Sequence, residues 1–236
     1  MPAAASPLSA AYARLTETGA GPAVTVLGPA DPLPRGAGWL TTAGLAGGGC
    51  DLDAFLARDE AQVLRDHGRA ARPDVVASFA LHRYAWPASL LITVPWFLYR
   101  RVPRLPVTHV SYDRVTGRMA VRPASFACLP GDPAAALPGA VVVAGEEELR
   151  AAVRAAVAEH LEPVLAAFGP RTRRRGRARA FRVLTGPAGE PLPTRDRASC
   201  CMFHTVRPEG TRATRATRPR TCDSDRVVKS SARATA

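Results

Sequence analysis

The five cysteines of this 236-residue chain are unevenly placed, and three of them, Cys200, Cys201 and Cys222, fall in the last 40 residues. They belong to the stretch RASCCMFHTVRPEGTRATRATRPRTCDSD, residues 197–225, which is crowded with arginine. Clustered thiols in a reducing compartment point to metal or redox chemistry rather than to a disulfide framework. Soft sulfur donors favour zinc or an iron–sulfur cluster over hard cations. A zinc knuckle usually spaces its ligands by about two to four residues, so two adjacent cysteines suit it poorly. A two-iron cluster offers several coordination positions close together, and a vicinal pair on a loop can serve them. Three thiols leave a fourth position for Asp223, Asp225 or His204. Histidine replaces cysteine at one iron of Rieske centres, so mixed ligation is chemically allowed.

With those residues in view, the segment resembles the C-terminal signature of the FhuF-like ferric-siderophore reductases. These are (2Fe–2S) proteins with a Cys-Cys pair, about ten residues, then Cys-x-x-Cys. Residues 195–206 carry the likeness, with Arg197 before the pair and Phe203 after it. LHRYAWPASLLITVPWFLYRRVPRLP, residues 81–106, is similar to the family's central helical stretch. The resemblance implies a cytoplasmic protein that holds a 2Fe–2S cluster on Cys200, Cys201 and Cys222. It would reduce Fe(III) bound to an imported siderophore.

The second half of the motif departs from the pattern, and two registers align it. In one, Cys222 and Asp225 stand for Cys-x-x-Cys, with 20 residues after Cys201. In the other, Arg215 and Arg218 occupy those positions, with 13 residues after Cys201. The direct repeat Arg-Ala-Thr at 212–214 and 215–217 favours the second, because removing one copy restores the family's spacing. Guanidinium groups offer iron no lone pair, so either register leaves three protein thiols. The family also implies a further helical segment before the cysteine loop. Here RRRGRARAFRVLTG runs almost directly from the long helix to it, which predicts a less shielded, more labile site. The rival reading is a cluster-incompetent remnant, a non-catalytic siderophore-binding or polyanion-binding protein.

The elements that must position this chemistry are legible further upstream. Residues 6–18 suit a short helix, VTVLG (24–28) a strand, and the Gly/Pro-rich stretch to Gly49 a loop. DLDAFLARDEAQVLRDHG places Leu52, Phe55, Leu56, Val63 and Leu64 on one face, with Asp51 as cap and Gly68 as stop. A second helix opens at Asp74, and Pro87 and Pro95 predict a break or kink in it. VTHVSYD and RMAVRP around RVTG predict a β-hairpin. GAVVVAG predicts a short buried strand. EEELRAAVRAAVAEHLEPVLAAF is the clearest helix, acidic at its start as the helix dipole favours and ended by Gly169–Pro170. The expected fold class is α+β, mainly helical, with a few short strands and a flexible basic C-terminal tail. The division is a body over 1–170, an Arg-rich and Gly/Pro linker over 171–194, the cysteine segment over 195–226, and a disordered tail over 227–236.

Composition bounds the partners. The net charge is +12, yet 1–170 holds 15 basic and 15 acidic residues, and the whole excess lies in 171–236. Seven arginines in 171–182 suit a solvated linker, the functional alternatives being contact with an acidic electron donor, an anionic siderophore or nucleic acid. That run holds a single aromatic, Phe181 near its end, too few for a stacking platform, so there is no strong nucleic-acid signal. The apolar run 84–99 falls short of the ~20 residues of a membrane helix. It reads as a buried core element, the alternative being peripheral membrane contact through it and Arg100–Arg101. The N-terminus lacks the marks of a signal or transit peptide, which predicts the cytoplasm. No Walker loop, strand-linked GxGxxG or Ser-His-Asp pattern occurs, so the reductant would come from a separate electron-donor protein. Cys50 and Cys128 suit ordinary small apolar positions, and His82 and His109 suit satisfied polar ones.

Overall fold

The computed structural model describes residues 6–19, 21–36, 38–172, 181–185 and 191–195, the last two segments by their backbone alone. It is an α+β fold, mainly helical, with short strands in small sheets. Helix α1 (Ser9–Glu17) and strand β1 (Val24–Val26) form where the sequence predicts them. The Gly/Pro-rich stretch that follows is not a loop throughout. It contains β2 (Trp39–Thr41) and a short helix α2 (Thr42–Gly47). Thr41 Oγ1 accepts the Gly44 N–H at 3.1 Å and so caps α2, while Leu45 is buried in the core. Gly48 and Gly49, both at positive φ, turn the chain into α3 (Gly49–His67). Asp51 is therefore in the first turn of α3 rather than its cap, and Leu64 is exposed rather than on the packed face. Gly68 ends the helix in the left-handed conformation, as predicted.

The largest correction concerns α4, which runs unbroken over 27 residues, Pro73–Tyr99, through both Pro87 and Pro95. A helix-internal proline removes one i→i−4 hydrogen bond, so Pro95 leaves the Leu91 carbonyl without its usual donor. The phenol of Tyr12, fully buried on α1, donates to that carbonyl at 3.0 Å. A side chain from another helix thus makes good the missing backbone bond. Ala77, Ala80, Tyr84, Ala88, Leu91 and Pro95 form the buried stripe of α4. Only part of the run 84–99 is core, however, because Trp86, Phe97, Leu98 and Tyr99 are exposed.

Beyond α4 come β3 (Arg101–Arg104), β4 (Val110–Asp113), β5 (Met119–Val121), β6 (Ser125–Cys128) and β7 (Ala140–Val142). The predicted hairpin is β4–β5, antiparallel, with Tyr112 opposite Met119. Its turn is organised by Asp113, whose carboxylate accepts the Val115 N–H at 2.8 Å and the Thr116 hydroxyl at 2.5 Å. One sheet has the order β1-β5-β4-β2, with β1 parallel to β5. The other is β3-β6-β7. There β7 is an edge strand whose Val141 and Val142 are exposed, so it is a strand as expected but not a buried one. Arg101 braces this sheet with two hydrogen bonds to Asp132, at 2.6 and 2.8 Å, and a third to the Pro7 carbonyl.

Helix α5 (Glu146–Phe168) continues through Pro163 and packs against α2, α4 and the second sheet. Leu149, Ala156, His160, Val164 and Phe168 are its buried residues. The main core gathers residues from all five helices and from both sheets. In the stretch read as linker and Gly/Pro loop, β8 (Phe181–Thr185) and β9 (Pro191–Arg195) pair antiparallel with each other.

Candidate functional site

Cys200, Cys201 and Cys222, and with them Arg215, Arg218, His204, Asp223 and Asp225, lie outside the described residues. Cys50 is exposed, and Cys128 is buried on β6, where burial raises its thiol pKa. Among the described residues, no three His, Cys, Asp or Glu side chains are grouped to hold a metal ion. His109 hydrogen-bonds the Arg122 carbonyl through Nδ1 at 2.8 Å, the satisfied role expected of it. His82 is exposed, with its ring 6.5 Å from that of Trp86.

The polar chemistry of the body centres on two consecutive residues of α4, Arg83 and Tyr84. Their side chains diverge because neighbours on a helix point about 100° apart. Tyr84 enters a buried relay. Its phenol lies 2.7 Å from Thr42 Oγ1 and 2.8 Å from His160 Nε2, and His160 Nδ1 lies 2.6 Å from the Leu105 carbonyl. All three side chains are fully buried. Burial lowers the His160 pKa, partly offset by the Leu105 hydrogen bond and by Glu159, so the ring is neutral. The directions of the bonds follow. A carbonyl only accepts, so Nδ1 carries the proton; Nε2 then accepts from Tyr84, and Tyr84 accepts from Thr42. The pKa of Tyr84 is itself raised by burial.

Arg83 belongs to an ionic cluster. Asp59 of α3 is completely buried and pairs through Oδ1 with Arg114, which follows β4, and with Arg83 Nε at 3.3 Å. Asp59 Oδ2 and Arg114 Nε have no hydrogen-bond partner. Burial raises the Asp59 pKa, and the two guanidinium groups oppose the rise. The Arg114 guanidinium also stacks over Phe55, 5.6 Å from the ring centre. Tyr112 joins relay and cluster, its ring set edge-on to Tyr84 at 5.8 Å and tilted to Phe55 at 6.3 Å.

Two clefts open beside these groups. The smaller, about 330 Å³, lies between the α1–β1 turn, the middle of α4 and the β4–β5 turn, with Arg83, Trp86 and Tyr112 in its wall. The larger, about 570 Å³, lies between α3, the start of α4 and the end of α5. Four of its five charged groups pair within the wall, Arg72 with Asp74 at 2.6 Å and Arg171 with Asp53 at 2.7 Å, and Glu60 is the fifth.

Neither His160 nor Asp59 stands out from the sequence as a functional candidate, although a signal was present for both. Asp59 lies four residues from Phe55 and from Val63, on the apolar stripe of α3. His160 lies four from Ala156 and from Val164, on the stripe of α5. A polar residue in the register of a buried face requires a partner, and that requirement locates both networks. No family model, curated protein or solved structure matches the chain.

Proposed function

We propose that the protein is a ferric-siderophore reductase-like protein that binds a 2Fe–2S cluster through Cys200, Cys201 and Cys222. Its substrate is a ferric siderophore, its reductant a separate electron-donor protein, and its compartment the cytoplasm. The observation that carries this reading is the adjacent pair in RASCCMFHTV, residues 197–206. Vicinal thiols on a loop can serve a two-iron cluster and suit a zinc knuckle poorly. The α+β body and the absence of a membrane-spanning helix among the described residues are compatible with it. When bound, the cluster supplies one-electron transfer to the chelated Fe(III). The chain supplies the thiolates and, in its basic segment, a surface that attracts an acidic donor or an anionic chelate.

Anaerobic purification followed by absorbance spectroscopy and iron and sulfide analysis tests the reading. The expected result is at most one two-iron cluster per chain, lost readily in air and absent from Cys200→Ser and Cys201→Ser. Colourless protein that binds no iron on reconstitution supports the remnant instead. The two registers separate by repair. Arg215→Cys with Arg218→Cys, in a chain lacking one Arg-Ala-Thr copy, stabilises the cluster if the repeat is an insertion. Asp225→Cys alone does so if Cys222 and Asp225 are the aligned pair.

A further inference from the structure

Two guanidinium groups, those of Arg83 and Arg114, share the one buried carboxylate of Asp59, and they differ in exposure. Arg114, 11% exposed, is held behind Asp59, whereas Arg83, 37% exposed, lines the 330 Å³ cleft. Arg83 is fixed by the contact of its Nε with Asp59 and makes no other ion pair or hydrogen bond among the described residues. Its terminal nitrogens form a planar fork whose position is set in advance by a buried anchor.

Flat apolar surfaces face the same space. Trp86, one turn of α4 from Arg83, is 57% exposed, and Tyr112, Pro22 and Pro87 share the wall with it, Thr116 adding a polar side chain. The opposite rim is held in place by Gly21. Any Cβ there would overlap the Leu15 side chain, so the α1–β1 turn sits close against α1 and α4. The volume is at the lower end of the range for small-molecule sites.

We propose that this cleft binds a small aromatic carboxylate, its carboxylate on the Arg83 fork and its ring against Trp86 and Tyr112. A planar carboxylate matches one guanidinium in bidentate fashion. A tetrahedral phosphate would call for a second cation or a helix N-terminus, and neither lines the cleft among the described residues. The site is formed by the body and needs neither iron nor the cysteines.

Calorimetric titration of the full chain with 2-naphthoate tests it, with 2-naphthamide and inorganic phosphate as controls. The expected dissociation constant is about a millimolar or tighter. Arg83→Gln weakens binding by about tenfold or more, and Trp86→Ala by several-fold. Neither control competes. Circular dichroism checks the fold of each variant, and if Arg83→Gln unfolds, the half-exposed Trp86 decides. Failure of naphthoate to bind, binding that Trp86→Ala and a folded Arg83→Gln leave unchanged, or equal competition by phosphate overturns the proposal. Iron and sulfide content are unaffected in every case, so this outcome is separate from that of the cluster.

Discussion

His160 is a titratable group that the fold buries in its neutral form, and its proton is committed to the Leu105 carbonyl. Its folded pKa lies below the ordinary histidine value of about 6.5, so the unfolded chain takes up the proton first as pH falls. The stability tied to neutral His160 is therefore complete above pH 6.5 and is lost progressively below it. Chemical denaturation at pH 7.5 and pH 5.5 is expected to differ by about 1 kcal/mol from this source. His160→Gln should remove that difference, whatever it costs at pH 7.5. The comparison with the variant matters because the raised Asp59 titrates with the opposite sign. The groups facing the ring are Tyr84 from α4, the Leu105 carbonyl, and Glu159, which Arg104 holds at 2.7 Å. Asp59 gives a second prediction at this scale. Asp59→Ala leaves Arg114 almost buried without its counter-charge, and is expected to cost about 3–5 kcal/mol in urea unfolding.

Among the elements, α4 shows how a sequence rule is overridden. Pro95 breaks the hydrogen-bond ladder as any proline does, yet the helix continues, and Tyr12 supplies a donor to the Leu91 carbonyl. Tyr12→Phe is expected to destabilise by about 1–2 kcal/mol, since a buried carbonyl then has no partner. Pro95→Ala restores the backbone N–H that the carbonyl lacks. In that background Tyr12→Phe should cost measurably less, and a double-mutant cycle by denaturant unfolding reads the coupling directly. Additive losses would mean that the tyrosine and the proline are unrelated. The exposed end of α4 has a local explanation too. Arg100 takes a left-handed φ of 53°, its guanidinium lies 5.7 Å over Trp96, and Nε lies 3.3 Å from Glu146. That conformation turns the chain from α4 into β3.

For the whole molecule the charge division is the dominant feature, with a neutral 1–170 and an excess confined to 171–236. Replacing the arginines at 173–175, 177 and 179 with glutamine should lower the salt needed to elute the full chain from heparin. Thermal unfolding of the body should be unchanged by it, because 1–170 is charge-balanced by itself. If elution does not move, the basic run is not the polyanion-binding surface.

What the sequence determined by itself is local. The helices at 9–17, 49–67 and 146–168 follow from apolar periodicity, and the hairpin from two β-rich runs around a Gly-containing turn. The candidate thiols follow from residue type and spacing alone, and they lie outside the described residues. Tertiary structure decided everything that depends on a distant partner. At Pro95 it gave the orphaned Leu91 carbonyl a donor in Tyr12, 79 residues away. It also drew Leu45 into the core and so made a helix of a stretch rich in glycine. Thr42, Tyr84 and His160 became a relay, and Asp59, Arg83 and Arg114 a cluster, because each side chain sits on a different element of the same core. Periodicity reports which face of an element is buried. It does not report what lies opposite, and a buried polar group takes its meaning from what lies opposite.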